Sequence, residues 1–162
     1  LKMWDRFSAH APLLFTGGLS FAPEHFRKGR MDDPFRAKYL GKGLQKLREE
    51  GAIQAFRTMR GNDYILGAVG ELQFDVTLDR LDDEYNVDAH LTGVPYTCCR
   101  WVDGPAEDLE AFEAQNMDSL FRDADGDLAY LALSEFRLER TMDNWPRITF
   151  ASTKQHTAEQ EA

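Results

Sequence analysis

The sequence predicts an α+β fold in which helices cover one face of an antiparallel sheet. Apolar residues switch repeatedly between the alternation of a strand and the three-to-four-residue spacing of a helix, and turn signals separate the segments. Between residues 21 and 92 the predicted order is strand, helix, strand, strand, helix, strand. This order defines the split βαβ arrangement, or ferredoxin-like plait. Further β-α units are predicted to extend it.

The first predicted strand covers residues 22–31, where apolar and polar residues partly alternate. Asp33 is suited to cap a helix that begins at Pro34, because proline is well accepted at the first helical position. Leucines then follow at helical spacing. Gly51 is expected to end this helix in the left-handed conformation that glycine adopts readily.

A predicted hairpin comes next, formed by residues 53–59 and 64–69 around a cluster of turn-forming residues. Apolar side chains recur at helical spacing after Gly70, which predicts a second helix that ends at Asn86. A short strand over residues 87–91 completes the unit. The two helices would then cover one face of the four strands.

Residues 93–150 are predicted to be the C-terminal α/β part of the same domain. The further predicted elements are strands at 96–102, 128–133 and 147–150, an acidic helix at 106–120, and a helix capped by Ser134. Residues 1–20 show little periodicity and are expected to be a linker or the tail of a preceding domain. The polar residues 151–162 are expected to be a flexible tail.

The charge of the 162-residue chain, −9 in total, is unevenly distributed. Residues 1–70 hold 12 Lys+Arg and 7 Asp+Glu, a net of +5, whereas residues 71–162 hold 7 and 21, a net of −14. The first half contains a group that we name the basic cluster: Arg27, Lys28, Arg30, Arg36, Lys38, Lys42, Lys46 and Arg48. A solvated helix face and a surface for docking on a polyanion both fit this cluster.

The sequence contains no pattern that indicates catalysis or metal binding. Residues 41–44 hold two glycines and a lysine but lack the spacing and the hydroxyl of a phosphate loop. The four histidines lack the spacing of zinc ligands. Residues 123–127 resemble the start of a calcium loop without its later glycine and glutamate, so an acidic surface turn is expected. We therefore expect no catalytic residue, cofactor or metal in this chain.

Cellular location is predicted from three further features. No apolar run approaches the roughly 20 residues of a membrane-spanning helix, and the first residues are not a signal peptide. Two adjacent cysteines, Cys98 and Cys99, cannot build a disulfide framework, and at least one is expected to be buried. A cytoplasmic protein without membrane or DNA partners is expected. Because the chain does not begin with Met, we expect it to be part of a larger protein.

A glycine-rich turn lies at the predicted junction between a strand and a helix. It consists of Gly67 and Gly70, followed by Glu71 and Gln73. Backbone N–H groups at such a junction can bind an anion. The carboxylate of Glu71 would compete with that anion for the helix dipole, so a tight and closely packed turn is the better explanation.

This turn also carries a resemblance to a known family. Residues 67–76, continuing through Glu84 to Val87, resemble the third domain of translational GTPases such as elongation factor G. Gln73 stands where elongation factors usually have histidine, and residues 72–76 are similar to those of the bacterial peptide chain release factor 3 family, the class II release factors. Further agreeing stretches lie in order at 15–17, 21–27, 49–52, 100–102 and 127–132.

The resemblance implies that the chain is the C-terminal domain of a cytoplasmic GTPase. This family promotes dissociation of class I release factors from the ribosome in translation termination. Residues 1–20 would end a preceding β-barrel domain, and GTP and Mg²⁺ would bind an N-terminal domain absent from this sequence. The chain would dock on ribosomal RNA, ribosomal protein and the N-terminal domains, with the basic cluster on the docking face. The glycine-rich turn carries over as a structural motif only.

Two alternatives remain at this stage. The chain could be the equivalent domain of elongation factor G or of a ribosome-protection GTPase, although Gln73 and residues 21–27 disfavour this. It could also be a free-standing ferredoxin-like module that binds a small regulatory metabolite. The aperiodic, aromatic-rich first 20 residues disfavour a free-standing unit.

Overall fold

The computed structural model describes residues 19–31, 33–61 and 63–155. Its α-helices are α1 (Ala37–Glu49), α2 (Leu72–Tyr85), α3 (Ala106–Asn116) and α4 (Glu135–Asn144). Its first five strands are β1 (Leu19–Phe21), β2 (His25–Met31), β3 (Gln54–Thr58), β4 (Tyr64–Ala68) and β5 (Ala89–Gly93). The later strands are β6 (Cys98–Asp103), β7 (Leu120–Asp123), β8 (Leu128–Ala132), β9 (Thr149–Ala151) and β10 (Thr153–Gln155).

Eight strands form one antiparallel sheet in the order β5-β2-β4-β3-β7-β8-β6-β9, which confirms the predicted α+β class. Strands β2, β3, β4 and β5, connected through α1 and α2, form a first unit with the split βαβ arrangement that the sequence predicts. The other four, connected through α3 and α4, repeat this arrangement with the strand order reversed. The two units meet edge to edge where β3 pairs with β7.

Within the sheet of eight strands, β7 is the strand that the sequence prediction missed. The predicted helix at 106–120 ends at Asn116, and a 3₁₀ turn over Met117–Ser119 leads into β7 at Leu120. This strand places two apolar residues, Leu120 and Phe121, before two charged residues, so it shows no alternating pattern. Because β7 was not predicted, the sequence indicated only further β-α segments after residue 93 and not a second split βαβ unit. The other predicted boundaries shift by at most three residues.

The predicted helix caps are confirmed. The Asp33 carboxylate accepts a hydrogen bond from the Phe35 backbone N–H at 2.9 Å, although the first turn is 3₁₀ and α1 begins at Ala37. The Ser134 hydroxyl accepts a hydrogen bond from the Arg137 backbone N–H at 3.2 Å. Gly51 has a φ of 75°, and Asn86, with a φ of 52°, ends α2 in the left-handed conformation.

Three apolar clusters form the core. One lies under α1 and α2, and the second lies under α3 and α4. The third, which we name the shared cluster, contains side chains of both units. Its buried members are Phe26, Phe56, Ile65, Cys99, Trp101, Phe121, Ala129 and Leu131.

The alternation of side chains along β3 and β7 shows where the helices lie. Ala55 belongs to the cluster under α1 and α2, and its neighbour Phe56 belongs to the shared cluster. On the paired strand, Leu120 belongs to the cluster under α3 and α4, and Phe121 belongs to the shared cluster. Since neighbouring side chains on a strand point to opposite faces, all four helices cover one face of the sheet.

The two cysteines are both buried and lie on opposite faces of β6. Cys98 belongs to the cluster under α3 and α4, whereas Cys99 belongs to the shared cluster. Burial raises the pKa of the Cys99 thiol, because an apolar environment disfavours the thiolate. The Cys99 side chain therefore acts as a small apolar core residue at neutral pH.

Strands β1 and β10 form a separate two-stranded ribbon, in which Phe21 is paired with Thr153. The predicted flexible tail is therefore wrong for residues 151–155, which form the end of β9 and all of β10. These residues are polar, and their order comes from pairing with a segment more than a hundred residues away. Residues 1–18 and 156–162, also assigned to a linker and a tail, lie outside the described residues.

Candidate functional site

The basic cluster does not form one continuous face. Successive side chains of β2 point to opposite sides of the sheet. Phe26 belongs to the shared cluster, so Lys28 and Arg30 also lie on the face of the sheet that carries this cluster. Arg27 lies on the opposite face, which the helices cover. Lys28 Nζ forms a salt bridge with Asp63 Oδ2 at 2.9 Å. The cluster is thus divided between the two faces of the sheet.

Arg27 is engaged within the first unit. Its Nη2 group donates a hydrogen bond to Glu71 Oε1 at 2.8 Å. Its guanidinium carbon lies 5.4 Å from the centre of the Phe74 ring, and its Nη1 group donates to the Phe26 carbonyl at 2.8 Å. These contacts fasten β2 to the start of α2, so the Arg27 charge is largely committed to the fold.

Arg48 is engaged with the second unit. Its Nη1 group donates a hydrogen bond to Asp125 Oδ1 at 2.8 Å, and its side chain is only 24% exposed. Asp125 lies in the turn between β7 and β8. The contact therefore connects α1 to the second unit and leaves little of the Arg48 charge for another partner.

Three lysines of the basic cluster form an exposed stripe on α1. Lys38, Lys42 and Lys46 are spaced four residues apart, so they share the solvent-facing side of the helix. In the part of the chain that the structure describes, none of the three forms a salt bridge. The opposite side of α1 buries Leu44 and Leu47.

Exposed aromatic rings lie at the N-terminal end of this stripe. Phe35 is 90% exposed and Tyr39 is 46% exposed. The guanidinium carbon of Arg36 lies 5.4 Å from the centre of the Tyr39 ring. We name these groups together the α1 surface: Phe35, Arg36, Lys38, Tyr39, Lys42 and Lys46.

Close packing of α1 on α2 fixes the direction in which the α1 surface faces. A Cβ atom at Gly43 would lie 2.6 Å from Leu81 Cδ2 and 3.1 Å from the Tyr85 ring, so a larger residue here would require the Leu81 side chain to move. Arg80, 9% exposed, forms salt bridges with Glu50 after α1 and with Glu84 on α2. Burial lowers the pKa of Arg80, but the hydrogen bonds that Arg80 donates to both carboxylates outweigh this and raise the pKa, so Arg80 stays charged.

The glycine-rich turn is closed by its own side chains. A Cβ atom at Gly67 would lie 2.6 Å from Pro23 Cγ, so this position requires glycine. Gln73 Oε1 accepts a hydrogen bond from the Val69 backbone N–H at 3.1 Å, which occupies a donor that an anion would need. The Glu71 carboxylate accepts a hydrogen bond from Arg27. Gly70 is not closely packed, since a Cβ atom there would have no heavy atom within 4 Å. These contacts are those of a structural turn.

Three aspartates of the β7–β8 turn converge on one lysine. Lys154 Nζ lies 2.6 Å from Asp123 Oδ2 and 2.9 Å from Asp125 Oδ2, and it also pairs with Asp127. The indole N–H of Trp101 donates to Asp123 Oδ2 at 3.1 Å. Sequence reasoning missed this group, which we name the Lys154 clamp, because it assigned Lys154 to a flexible tail.

A cavity of about 280 Å³ lies at the seam between the two units. Its lining includes Lys28, Met59, Tyr96, Met117 and Phe121. Tyr96 and Phe121 contact each other edge to face, with ring centres 5.5 Å apart. Burial and a nearby carboxylate raise the pKa of Tyr96, so its hydroxyl remains neutral. The lining is mainly apolar and presents no pair of groups set for proton transfer among the described residues.

Comparison with known families identifies the chain. A family model described as class II release factor RF3, C-terminal domain, matches residues 15–142. The chain belongs to this family. The family resemblance predicted from the sequence is confirmed, and the chain is a domain of a protein-biosynthesis factor. Residues 149–155, which include β9, β10 and Lys154, lie beyond the match.

The described part of this RF3 C-terminal domain contains no helix long and apolar enough to cross a membrane. The match extends from before β1 into α4 and so includes most of both plait units. It disfavours the equivalent domain of elongation factor G and a free-standing metabolite-binding module. The docking role of the basic cluster stays a prediction.

Proposed function

We propose that this RF3 C-terminal domain docks on the ribosome and couples it to a GTPase domain of the same protein during translation termination. The observation that carries the proposal is the family match over residues 15–142. In this scheme GTP and Mg²⁺ bind the separate GTPase domain, and this chain has no catalytic role. Its movement on the ribosome promotes the departure of class I release factors, as differential contacts in two states would allow.

The α1 surface is the part of the basic cluster best suited to docking. Arg27, Lys28 and Arg48 already pair with carboxylates of the same chain, so their charges are largely compensated. None of the three lysines on α1 forms a salt bridge among the described residues, although the charge of Lys46 helps to lower the pKa of Glu50. Lysines that replace counterions on RNA phosphates release those ions, which favours binding at low salt. The α1 surface therefore fits ribosomal RNA.

The test is reversal of the three α1 charges in the complete natural protein that contains this chain. Lys38→Glu, Lys42→Glu and Lys46→Glu together should weaken ribosome binding at least tenfold near physiological salt. Loss of three phosphate contacts should also reduce the slope of log affinity against log salt by about two. The measurement is a ribosome-binding titration at several salt concentrations.

A matched control carries the same charge change elsewhere. Arg137, Arg140 and Arg147 are exposed residues of the second unit, and their reversal to Glu leaves α1 unaltered. We expect this control to bind nearly as well as the unaltered protein. Equal losses in both triple variants would indicate an effect of net charge alone. Unchanged affinity and slope in the α1 variant would reject the proposed docking surface.

A further inference from the structure

The aromatic residues of the α1 surface are not explained by the fold. Phe35 is 90% exposed, and Tyr39 is 46% exposed on the outer side of α1. The Phe35 backbone N–H donates a hydrogen bond to the Asp33 carboxylate, so the capped turn fixes the backbone from which this ring projects. Burying an exposed ring is favourable, and two exposed rings on the same helical segment as Arg36 and the three lysines favour a partner with flat apolar faces and negative charge.

Electrostatics around α1 restrict what this partner can be. The first turn of α1 contains no acidic residue, so among the described residues Arg36, Lys38 and Lys42 outnumber the one nearby carboxylate, that of Asp33, which caps the preceding turn. The neighbouring α2 exposes Asp75, Asp79, Asp82 and Asp83 on its own outer side. A polyanion is attracted to α1 and repelled from α2, which confines it to the α1 surface.

We propose that the α1 surface binds an unpaired loop of RNA, with a base stacked on Phe35 and the adjoining phosphates on Lys38, Lys42 and Lys46. This inference rests on the proposed docking function and names the RNA conformation involved. Bases inside an A-form helix are not accessible for stacking on a side chain, whereas bases of loops and bulges can stack on aromatic rings. Tyr39 extends the stacking surface, and Arg36 already covers part of its ring.

The combination of rings and lysines separates RNA from other partners. A duplex would use the lysines and leave Phe35 in water, so loss of the ring would not matter. An acidic protein segment could use the lysines and the apolar area of the ring, but not specifically its π-face. Stacking of a base requires the flat ring itself, and it contributes about tenfold in affinity per base.

The test replaces the rings while conserving apolar character. In the complete natural protein, Phe35→Leu should weaken ribosome binding about tenfold, and Phe35→Leu with Tyr39→Leu should weaken it further. The slope against salt should not change, since no phosphate contact is lost. Phe136→Leu is the matched control, because Phe136 is also highly exposed, at 72%, but lies on α4.

Chemical probing of the ribosomal RNA is the second measurement. A reagent that modifies unpaired bases should show protection of a loop base by the unaltered protein, and Phe35→Leu should restore its reactivity. Unchanged affinity of Phe35→Leu, an equal loss in Phe136→Leu, or weaker binding without any protected base would overturn the inference, the last outcome indicating a protein partner. If the triple lysine variant weakens binding while the leucine variants do not, docking stands and only base stacking is rejected.

Discussion

At the scale of single residues, the structure separates glycines that are required from glycines that are not. Gly67 in β4 approaches Pro23 and Phe56 so closely that a Cβ atom would meet ring atoms at 2.6 Å and 3.1 Å. Proline and phenylalanine rings cannot turn away easily in a packed core. Gly70, two residues after β4, has open space instead. In the glycine-rich turn, close packing therefore requires glycine at position 67 but not at position 70.

We predict that Gly67→Ala destabilises the chain by about 1–3 kcal/mol, because the extra methyl group overpacks this contact. Gly70→Ala is the matched control, and its effect should remain within about 0.5 kcal/mol. The free energy of unfolding in urea measures both variants. A loss in Gly70→Ala as large as that in Gly67→Ala would contradict the packing argument.

At the scale of elements, ion pairs connect segments that are distant in the sequence. The Lys154 clamp fastens β10 to the β7–β8 turn, and β10 in turn pairs with β1. Lys154 is 14% exposed and Asp123 is 11% exposed, so their charges are poorly solvated outside this contact. Among the described residues, removal of Lys154 would leave Asp123 with no cation in this contact, since Arg48 pairs with Asp125 only. Losing the partner of a partly buried charge costs more than losing a surface pair.

We predict that Lys154→Met loosens the two-stranded ribbon. Amide hydrogen exchange of residues 19–21 and 153–155 should become at least tenfold faster, because the three aspartates then repel one another. Amides around Leu81 in α2 should change much less, since Leu81 is buried in the cluster under α1 and α2, to which none of the described ribbon residues belongs. Arg147→Met, at an exposed pair with Asp108, should leave the ribbon unchanged. Unchanged exchange in Lys154→Met would show that strand pairing alone holds the ribbon.

We predict a loss of stability at acid pH from the carboxylates that join elements. A hydrogen bond from Arg80 lowers the pKa of Glu50. Burial raises the pKa of Asp125, but hydrogen bonds from Lys154 and Arg48 outweigh burial, so the pKa of Asp125 is also lowered. Carboxylates of lowered pKa stabilise the fold above their unfolded pKa of about 4 and lose this contribution as the pH falls through the folded pKa.

The measurement is urea unfolding at a series of pH values between neutrality and strong acid. The free energy of unfolding should decline below about pH 4. The decline should be shallower in Glu50→Gln and in Asp125→Asn, because each variant removes one carboxylate of lowered pKa. Parallel pH profiles for the variants and the unaltered chain would contradict this assignment.

At the scale of the whole molecule, the shared cluster makes the two plait units depend on each other. Phe56 comes from the first unit and Phe121 from the second, and both are buried in this cluster. The pairing of β3 with β7 and the contact of Arg48 with Asp125 add further connections between the units. A domain with a continuous core is expected to unfold cooperatively.

We predict that Phe56→Ala destabilises both units together. Loss of this fully buried ring should cost about 3–5 kcal/mol through lost burial and the cavity that remains. Calorimetry should show one transition at lower temperature for the variant, as for the unaltered chain. Phe136→Ala, at an exposed ring, should have little effect. Two separate transitions in Phe56→Ala would show that the units fold independently.

Features that depend on neighbouring residues can be read directly from the amino-acid sequence. Asp33, Gly51, Asn86 and Ser134 end or begin helices through contacts within a few residues, so their roles were predictable. The family resemblance was also readable, because it rests on contiguous motifs. The α+β class followed from the order of these local elements.

Which distant groups come together depends on the tertiary fold. The pairing of β7 completes a second plait, and the pairing of β10 with β1 orders residues that look like a tail. The basic cluster is continuous in the sequence, yet the alternation along β2 and the packing of α1 divide it among separate surfaces. Such contacts depend on register and burial across the sheet, which no local pattern encodes.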